Sequence, residues 1–175
     1  LLIAVTICFL MIIIYFSFQL PDDSNLKNYK PDVMTRIYDS NGQLVKEFSK
    51  EYRIFVPIEN IPDNLKNAFI SAEDKNFYSH IGIDPIGILR AIIRNTYYFF
   101  SDKRPEGAST ITQQVAKNFL LNDELSLSRK VKEAFLAIKI DATLSKSRIL
   151  ELYLNQIYLG YGTYGIAAAS NRYFK

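Results

Sequence analysis

Cysteine and histidine each occur once in this 175-residue chain. The cysteine, Cys8, lies inside an uncharged apolar run, which excludes a disulfide scaffold and a cysteine-based zinc site. A single histidine, His80, leaves little for a histidine-based site, so no metal centre is expected. Glycine-rich loops of the dinucleotide or P-loop type are missing as well. Charge is absent from residues 1–18, and all 21 Lys/Arg and 18 Asp/Glu fall in the remainder. That remainder has an ordinary globular charge density. With 12 Phe and 12 Tyr, and abundant Ile and Leu, it is not a disordered composition.

The net charge of +3 conceals an asymmetry. Residues 86–148 hold 11 Lys/Arg against 6 Asp/Glu, and the rest of the chain is net negative. A basic middle suits an anionic partner such as nucleic acid, phospholipid or a phosphorylated substrate. It is equally the pattern of a solvated basic face.

Residues 1–18 are expected to form one transmembrane anchor. As a helix they would reach roughly 27 Å at 1.5 Å per residue, against a hydrocarbon core of about 30 Å. The following QLPDDSN lacks the small-residue pattern of a signal-peptide cleavage site. Asp22 and Asp23 fit a non-cytoplasmic side weakly, because acids count little in the orientation rule. Residues 19–34 read as a linker. Residues 35–175 read as one domain, C-terminally incomplete because RYFK ends inside an apolar, helical pattern.

Within that domain, TRIYDSNGQLVKEF carries the hairpin signature, with Asn41-Gly42 at the turn. YRIFVPI would extend it as far as Pro57. From Pro62 the pattern turns helical, with apolar residues at 65, 68, 69 and 72. A second helix should open with Asp84 as cap and Pro85 at its first position. Further helices are expected near 109–121, 126–144, 146–159 and 163–174. The outline is a short β element followed by about six helices.

Four clusters carry the chemistry. Glu73 and Asp74 end the first of these helices among Phe69, Ile70 and Phe77. Apolar surroundings there would tune a carboxylate for proton transfer, whereas a solvated helix end would not. In EGASTITQQVAKN, Thr110 and Gln113 fit a capping box. The helix start behind Gly107 offers free N–H groups to an anion, and Lys117 adds a point charge one turn along. A well-capped amphipathic helix is the plainer reading. In SRKVKEA, Glu133 sits four residues after Arg129, with Lys130 and Lys132 nearby. Three cations would hold it as a fixed negative charge, unless this is only a surface ion pair. In ILELYLNQIYLG, an apolar stripe reads as core, and Asn155 interrupts it with hydrogen bonds inside.

Singly these clusters are weak signals. In this order, EDKNFYSHIGID, EGASTITQQVAKN, RKVKEAFLA and ILELYLNQIYLGYGTYGIAAASNRYF resemble glycosyltransferase family 51. This is the peptidoglycan glycosyltransferase domain of class A penicillin-binding proteins and monofunctional transglycosylases. The one departure is Glu106, where the family often has a second glycine before Gly107; the position reads as tolerant.

The resemblance implies a mainly α, lysozyme-like, two-lobed helical domain with a small β-hairpin element, preceded by one transmembrane helix. It implies an inverting hexosyltransferase that polymerises lipid II at the outer face of the inner membrane and releases undecaprenyl pyrophosphate. Glu73 would then be the general base for the acceptor hydroxyl, and Glu133 the second catalytic carboxylate, near the donor. Ser109, Gln113, Gln114, Lys117, Arg129 and Lys130 would line the donor site. Asp74, Phe77, His80, Arg90, Gly107, Thr110, Asn118 and Asn155 complete the expected substrate-binding set.

No cofactor is required on this reading, which leaves room for a divalent cation. The partners are lipid II, the growing glycan strand and membrane lipid, not nucleic acid; other cell-wall synthesis proteins are admissible. IIRNTYYFF suits either a surface dipping into lipid or a core helix. A lysozyme-like lytic enzyme and a non-catalytic membrane-anchored scaffold for wall assembly are the competing functions. The basic donor cluster counts against the first, and the two intact glutamates against the second.

Overall fold

The computed structural model describes residues 35–48, 52–99, 103–121 and 126–174, together with Met11, Leu20 and Leu26. The expected membrane span and most of the expected linker lie outside the described residues. Among those that are described, no helix is long and apolar enough to cross a membrane.

The hairpin forms as the sequence predicts. β1 (Thr35–Tyr38) pairs antiparallel with β2 (Leu44–Phe48), with Thr35 opposite Phe48 and Tyr38 opposite Leu44. Asp39 fixes the turn, its carboxylate accepting from the Asn41 and Gln43 N–H groups at 2.8 Å each. This is an Asx-type turn, the reason Asp is favoured there. YRIFVPI does not extend this hairpin. Only β3 (Tyr52–Arg53) pairs, and it pairs in parallel with β4 (Thr163–Tyr164), far away in sequence. The extended segment after β3 is satisfied by side chains instead. Asn155 accepts from the Val56 N–H at 2.8 Å and donates to its carbonyl at 2.9 Å, and Glu151 accepts from the Ile58 N–H at 2.8 Å.

After a single 3₁₀ turn at Ile58–Asn60, six helices follow among the described residues. They are α1 (Asp63–Glu73), α2 (Pro85–Tyr98), α3 (Ile111–Leu120), α4 (Leu127–Thr143), α5 (Lys146–Gln156) and α6 (Ile166–Phe174). The domain is therefore mainly helical, as expected. The start signals work as the sequence implies. Asp84 accepts from the Gly87 N–H at 2.9 Å ahead of Pro85, and Thr110 with Gln113 closes the capping box. Ser126 and Ser145 cap α4 and α5 by accepting from the N–H of Arg129 and Arg148.

α5 is the centre of the core. Ile149 to Asn155 are all buried, so this helix is enclosed on every side, and α3 packs against both it and α4. Phe77, Ile111, Val115, Leu136 and Ile140 complete the packing around Tyr153 and Leu154. Leu26 joins the same core, and its carbonyl accepts from Arg148 Nη2 at 3.1 Å.

Two expected boundaries move. α5 stops at Gln156 rather than 159, and α6 starts at Ile166 rather than 163. The intervening chain turns back to form β4 and then needs Gly165 at φ +81°, packed on the Asn155 backbone. A helical pattern cannot run through a residue held left-handed. Gly82, at φ +92°, is a comparable point: a Cβ there would collide with the Ala137 carbonyl of α4.

Candidate active site

The end of α1 supplies two carboxylates with different surroundings. Asp74 is the enclosed one, 6 % exposed. Its oxygens lie 2.9 and 3.0 Å from His80 Nε2, and one accepts from the Ile111 N–H at 3.0 Å. The Gly82 N–H donates to His80 Nδ1 at 3.1 Å, so the ring hydrogen sits on Nε2 and is donated to Asp74. Asp74 thereby ties the end of α1 to the start of α3, while His80 pins the loop between α1 and α2. Thr110 adds a third tie, its hydroxyl donating to the Gly82 carbonyl at 2.6 Å.

Glu73 is exposed, and so is not enclosed by the apolar neighbours from which the sequence reading expected its tuning. It faces an open cavity of about 450 Å³. Gln114 of α3 donates to its Oε2 at 2.9 Å. Asp74, Arg90, Gly107, Ser109, Thr110 and Gln114 from the expected set line the same cavity. So do Lys75, Asp84, Arg94 and Glu106, which sequence reasoning missed. Arg94 was legible in principle: it follows Arg90 by four residues, and so shares its face of α2.

Arg90 and Arg94 meet Glu106. Arg90 Nε donates to Oε1 at 3.2 Å and Arg94 Nη1 to Oε2 at 2.7 Å. The Arg94 hydrogen bond, first among several causes, holds the Glu106 carboxyl below its usual range. The main chain at 106 is anchored too. Its N–H donates to Asn95 Oδ1 at 2.7 Å, and Asn95 Nδ2 donates to its carbonyl at 3.0 Å. Glu106, read from the sequence as a tolerant position, is therefore a fastener between the 103–110 loop and α2.

The other end of that loop reaches α4. Lys130 Nζ donates to Ser109 Oγ at 2.9 Å and also pairs with Glu133. Arg129 Nη1 donates to Glu133 at 3.3 Å. Glu133 is buried rather than part of a surface pair, with Arg129 and Lys130 as its cations; among the described residues Lys132 does not pair with it.

Other expected site residues turn inward. Phe77 is wholly buried in the core. Gln113 is buried, with its side chain accepting from the Thr110 N–H at 3.0 Å. Asn155 spends its amide on the backbone of Val56 and Glu151, the internal bonding its sequence context suggested. Lys117 and Asn118 are exposed on α3 and do not line the cavity. Among the described residues no group of three or more His, Cys, Asp or Glu is placed to hold a metal ion.

The apolar face of α2 is open to solvent, with Ile86, Leu89, Ile92, Ile93, Tyr97 and Phe99 all exposed. Over residues 92–99, the described part of IIRNTYYFF, the core-helix reading fails, apart from half-buried Tyr98 and the tie at Asn95.

Residues 41–175 match the family model described as transglycosylase. The chain is 53 % identical over 163 residues to penicillin-binding protein 1A of Rickettsia prowazekii, covering 93 % of this chain and 21 % of that protein. It is 48 % identical over 160 residues to penicillin-binding protein 1A of Escherichia coli K12 (91 % and 18 %). To that of Aquifex aeolicus it is 45 % identical over 172 residues (98 % and 23 %). The chain thus spans about a fifth of the length of these relatives. A match over most of the chain, at this identity and across the residues that build the cavity, makes it a member of the transglycosylase family, glycosyltransferase family 51.

Proposed function

We propose that this chain is a peptidoglycan glycosyltransferase domain that joins lipid II units into glycan strands with inversion, releasing undecaprenyl pyrophosphate. One observation carries the reading. An exposed carboxylate, Glu73, shares a cavity with Ser109, whose hydroxyl is bonded to a cation at the start of a helix. Displacing a pyrophosphate from an anomeric carbon calls for a base for the attacking hydroxyl and positive charge for the leaving group.

In this mechanism Glu73 takes the proton of the acceptor sugar hydroxyl as the new glycosidic bond forms. Gln114 orients its carboxylate. The leaving pyrophosphate lies toward Ser109, Lys130 and Arg129, with Lys117 further along α3. Glu133 holds Arg129 and Lys130 in place. Asp74, His80, Phe77, Thr110, Gln113 and Asn155 serve by fixing the walls. Arg90 and Gly107 complete the substrate surface within the cavity, with Asn118 beside Lys117 beyond it on α3. Fixed cations supply the charge, so no cofactor is needed; a divalent cation would act as an addition to them.

The finer architecture on this proposal is the lysozyme-like arrangement of two lobes about a cleft. The domain would sit on the extracytoplasmic side of the inner membrane, anchored by residues 1–18, with the exposed apolar face of α2 against lipid. Lipid II, the glycan strand and other wall-synthesis proteins are the partners. The test is incubation of the chain with labelled lipid II in detergent. The expected product is a glycan polymer that a muramidase digests, with undecaprenyl pyrophosphate released. Absence of polymer, or cleavage of preformed glycan instead, would contradict the reading.

A further inference from the structure

Two carboxylates near this cavity are each held by a pair of cations on one helix, and they differ in burial. Glu133, held by Arg129 and Lys130 of α4, has a side chain only 3 % exposed. Glu106, held by Arg90 and Arg94 of α2, is 25 % exposed, and its arginines are 44 % and 55 % exposed. In the first set the carboxylate and Arg129 (14 % exposed) are enclosed, and only Lys130 (48 %) reaches solvent. The second is solvated, screened and weakly held, so a better anion can take its place.

The two arginines are four residues apart and converge on one carboxylate, each giving one hydrogen bond to a different oxygen, so together they suit a group with several oxygens. They line the same cavity as Glu73, Ser109 and Gln114. The loop does not depend on the Glu106 side chain alone, because the main chain at 106 is separately bonded to Asn95. The carboxylate can leave the fork while the loop stays.

We propose that Glu106 is a resident counter-anion that competes with the phosphate groups of the substrate for Arg90 and Arg94, and so sets how tightly the site holds substrate and product. Glu106 is a positioning residue, acting through the two arginines rather than on the reacting atoms. The inference rests on the reading of this cavity as the site of a pyrophosphate-bearing substrate.

The experiment is calorimetric titration of inorganic pyrophosphate into the whole chain and into Glu106→Gln, with lipid II kinetics on both. Glu106→Gln removes the charge and keeps a side chain that can still bond. It should bind pyrophosphate about threefold to fivefold more tightly, the scale of one exposed ion pair. The gain should shrink when Arg94→Gln is added and vanish when Arg90→Gln is added as well, and KM for lipid II should fall without a rise in kcat. Unchanged pyrophosphate affinity in folded Glu106→Gln would overturn the proposal, as would a gain that survives loss of both arginines. A gain for phosphatidylglycerol vesicles without one for pyrophosphate would overturn it too. Should Glu106→Gln not fold, Arg94→Gln alone decides: weaker pyrophosphate binding at an unchanged melting temperature supports the proposal, and unchanged binding overturns it. Failure of the parent chain to polymerise lipid II would strike the functional reading and still leave the pyrophosphate titration readable.

Discussion

The Lys130 ammonium of α4 donates to the Ser109 hydroxyl at 2.9 Å, one residue before the cap of α3, while its other partner is the buried Glu133. A positive charge is thereby held at the mouth of the cavity, from an anchor in the core; the α3 start itself offers less than its sequence suggested, because the Ile111 N–H is spent on Asp74 and the Gln113 N–H on the Thr110 hydroxyl. That charge is ready for an anion without reorganising, which is where electrostatic catalysis gains most.

Lys130→Gln should therefore lower turnover of lipid II by about 10²-fold or more, the scale of losing one preorganised donor. Its melting temperature should fall, because buried Glu133 loses one of its two cations, but the fold should persist, since Arg129 still faces it. Steady-state polymerisation and a thermal melt on the same sample check this. Turnover within a few-fold of wild type would remove Lys130 from the site.

Asp74→Asn should cost stability rather than chemistry first. The carboxylate accepts from both His80 Nε2 and the Ile111 N–H in a buried position. An amide offers one oxygen and turns its own N–H₂ toward a donor. Stranding one buried partner costs about 1–3 kcal/mol. Denaturant unfolding at neutral pH measures it, and an unchanged midpoint would contradict the role of Asp74 as the tie between α1 and α3.

Acid should reveal Asp84. Burial pushes its carboxyl up, but the hydrogen bonds from the Gly87 N–H, the Asn76 amide and the Ile86 N–H bring it below its ordinary 3.8. A depressed carboxyl contributes stability that is present above 3.8 and is lost as pH falls through its folded value. The stability difference between wild type and Asp84→Asn should be largest near neutral pH and shrink below 3.8. Unfolding free energies across the acid range test it; a difference independent of pH would contradict it.

Local signals were legible in the sequence wherever the cause is local. The Asn41-Gly42 hairpin, the Asp84-Pro85 helix start and the Thr110–Gln113 box each depend on residues within four positions, and each forms. Motif order also led to the family. Long-range relationships were hidden. Nothing near Tyr52 announces pairing with Thr163, and nothing near Glu106 announces two arginines on another helix. Burial was misjudged for the same reason. Glu73 and Asp74 are neighbours in the chain, yet the close of α1 turns Asp74 inward to His80 and leaves Glu73 in the open cavity. Side-chain periodicity does not resolve adjacent residues at a helix end, where the chain leaves the helical path.

Glu73 is proposed to take the proton from the acceptor hydroxyl. The most direct measurement is the rate of lipid II polymerisation by Glu73→Gln, taken with its melting temperature. Glutamine keeps the size of the side chain and can still bond to Gln114, but it cannot accept a proton. A general base contributes roughly 10²–10⁴-fold, so the account predicts a rate loss of at least that lower figure in a protein that melts as wild type does. A folded Glu73→Gln that polymerises lipid II at near-normal rate would contradict it.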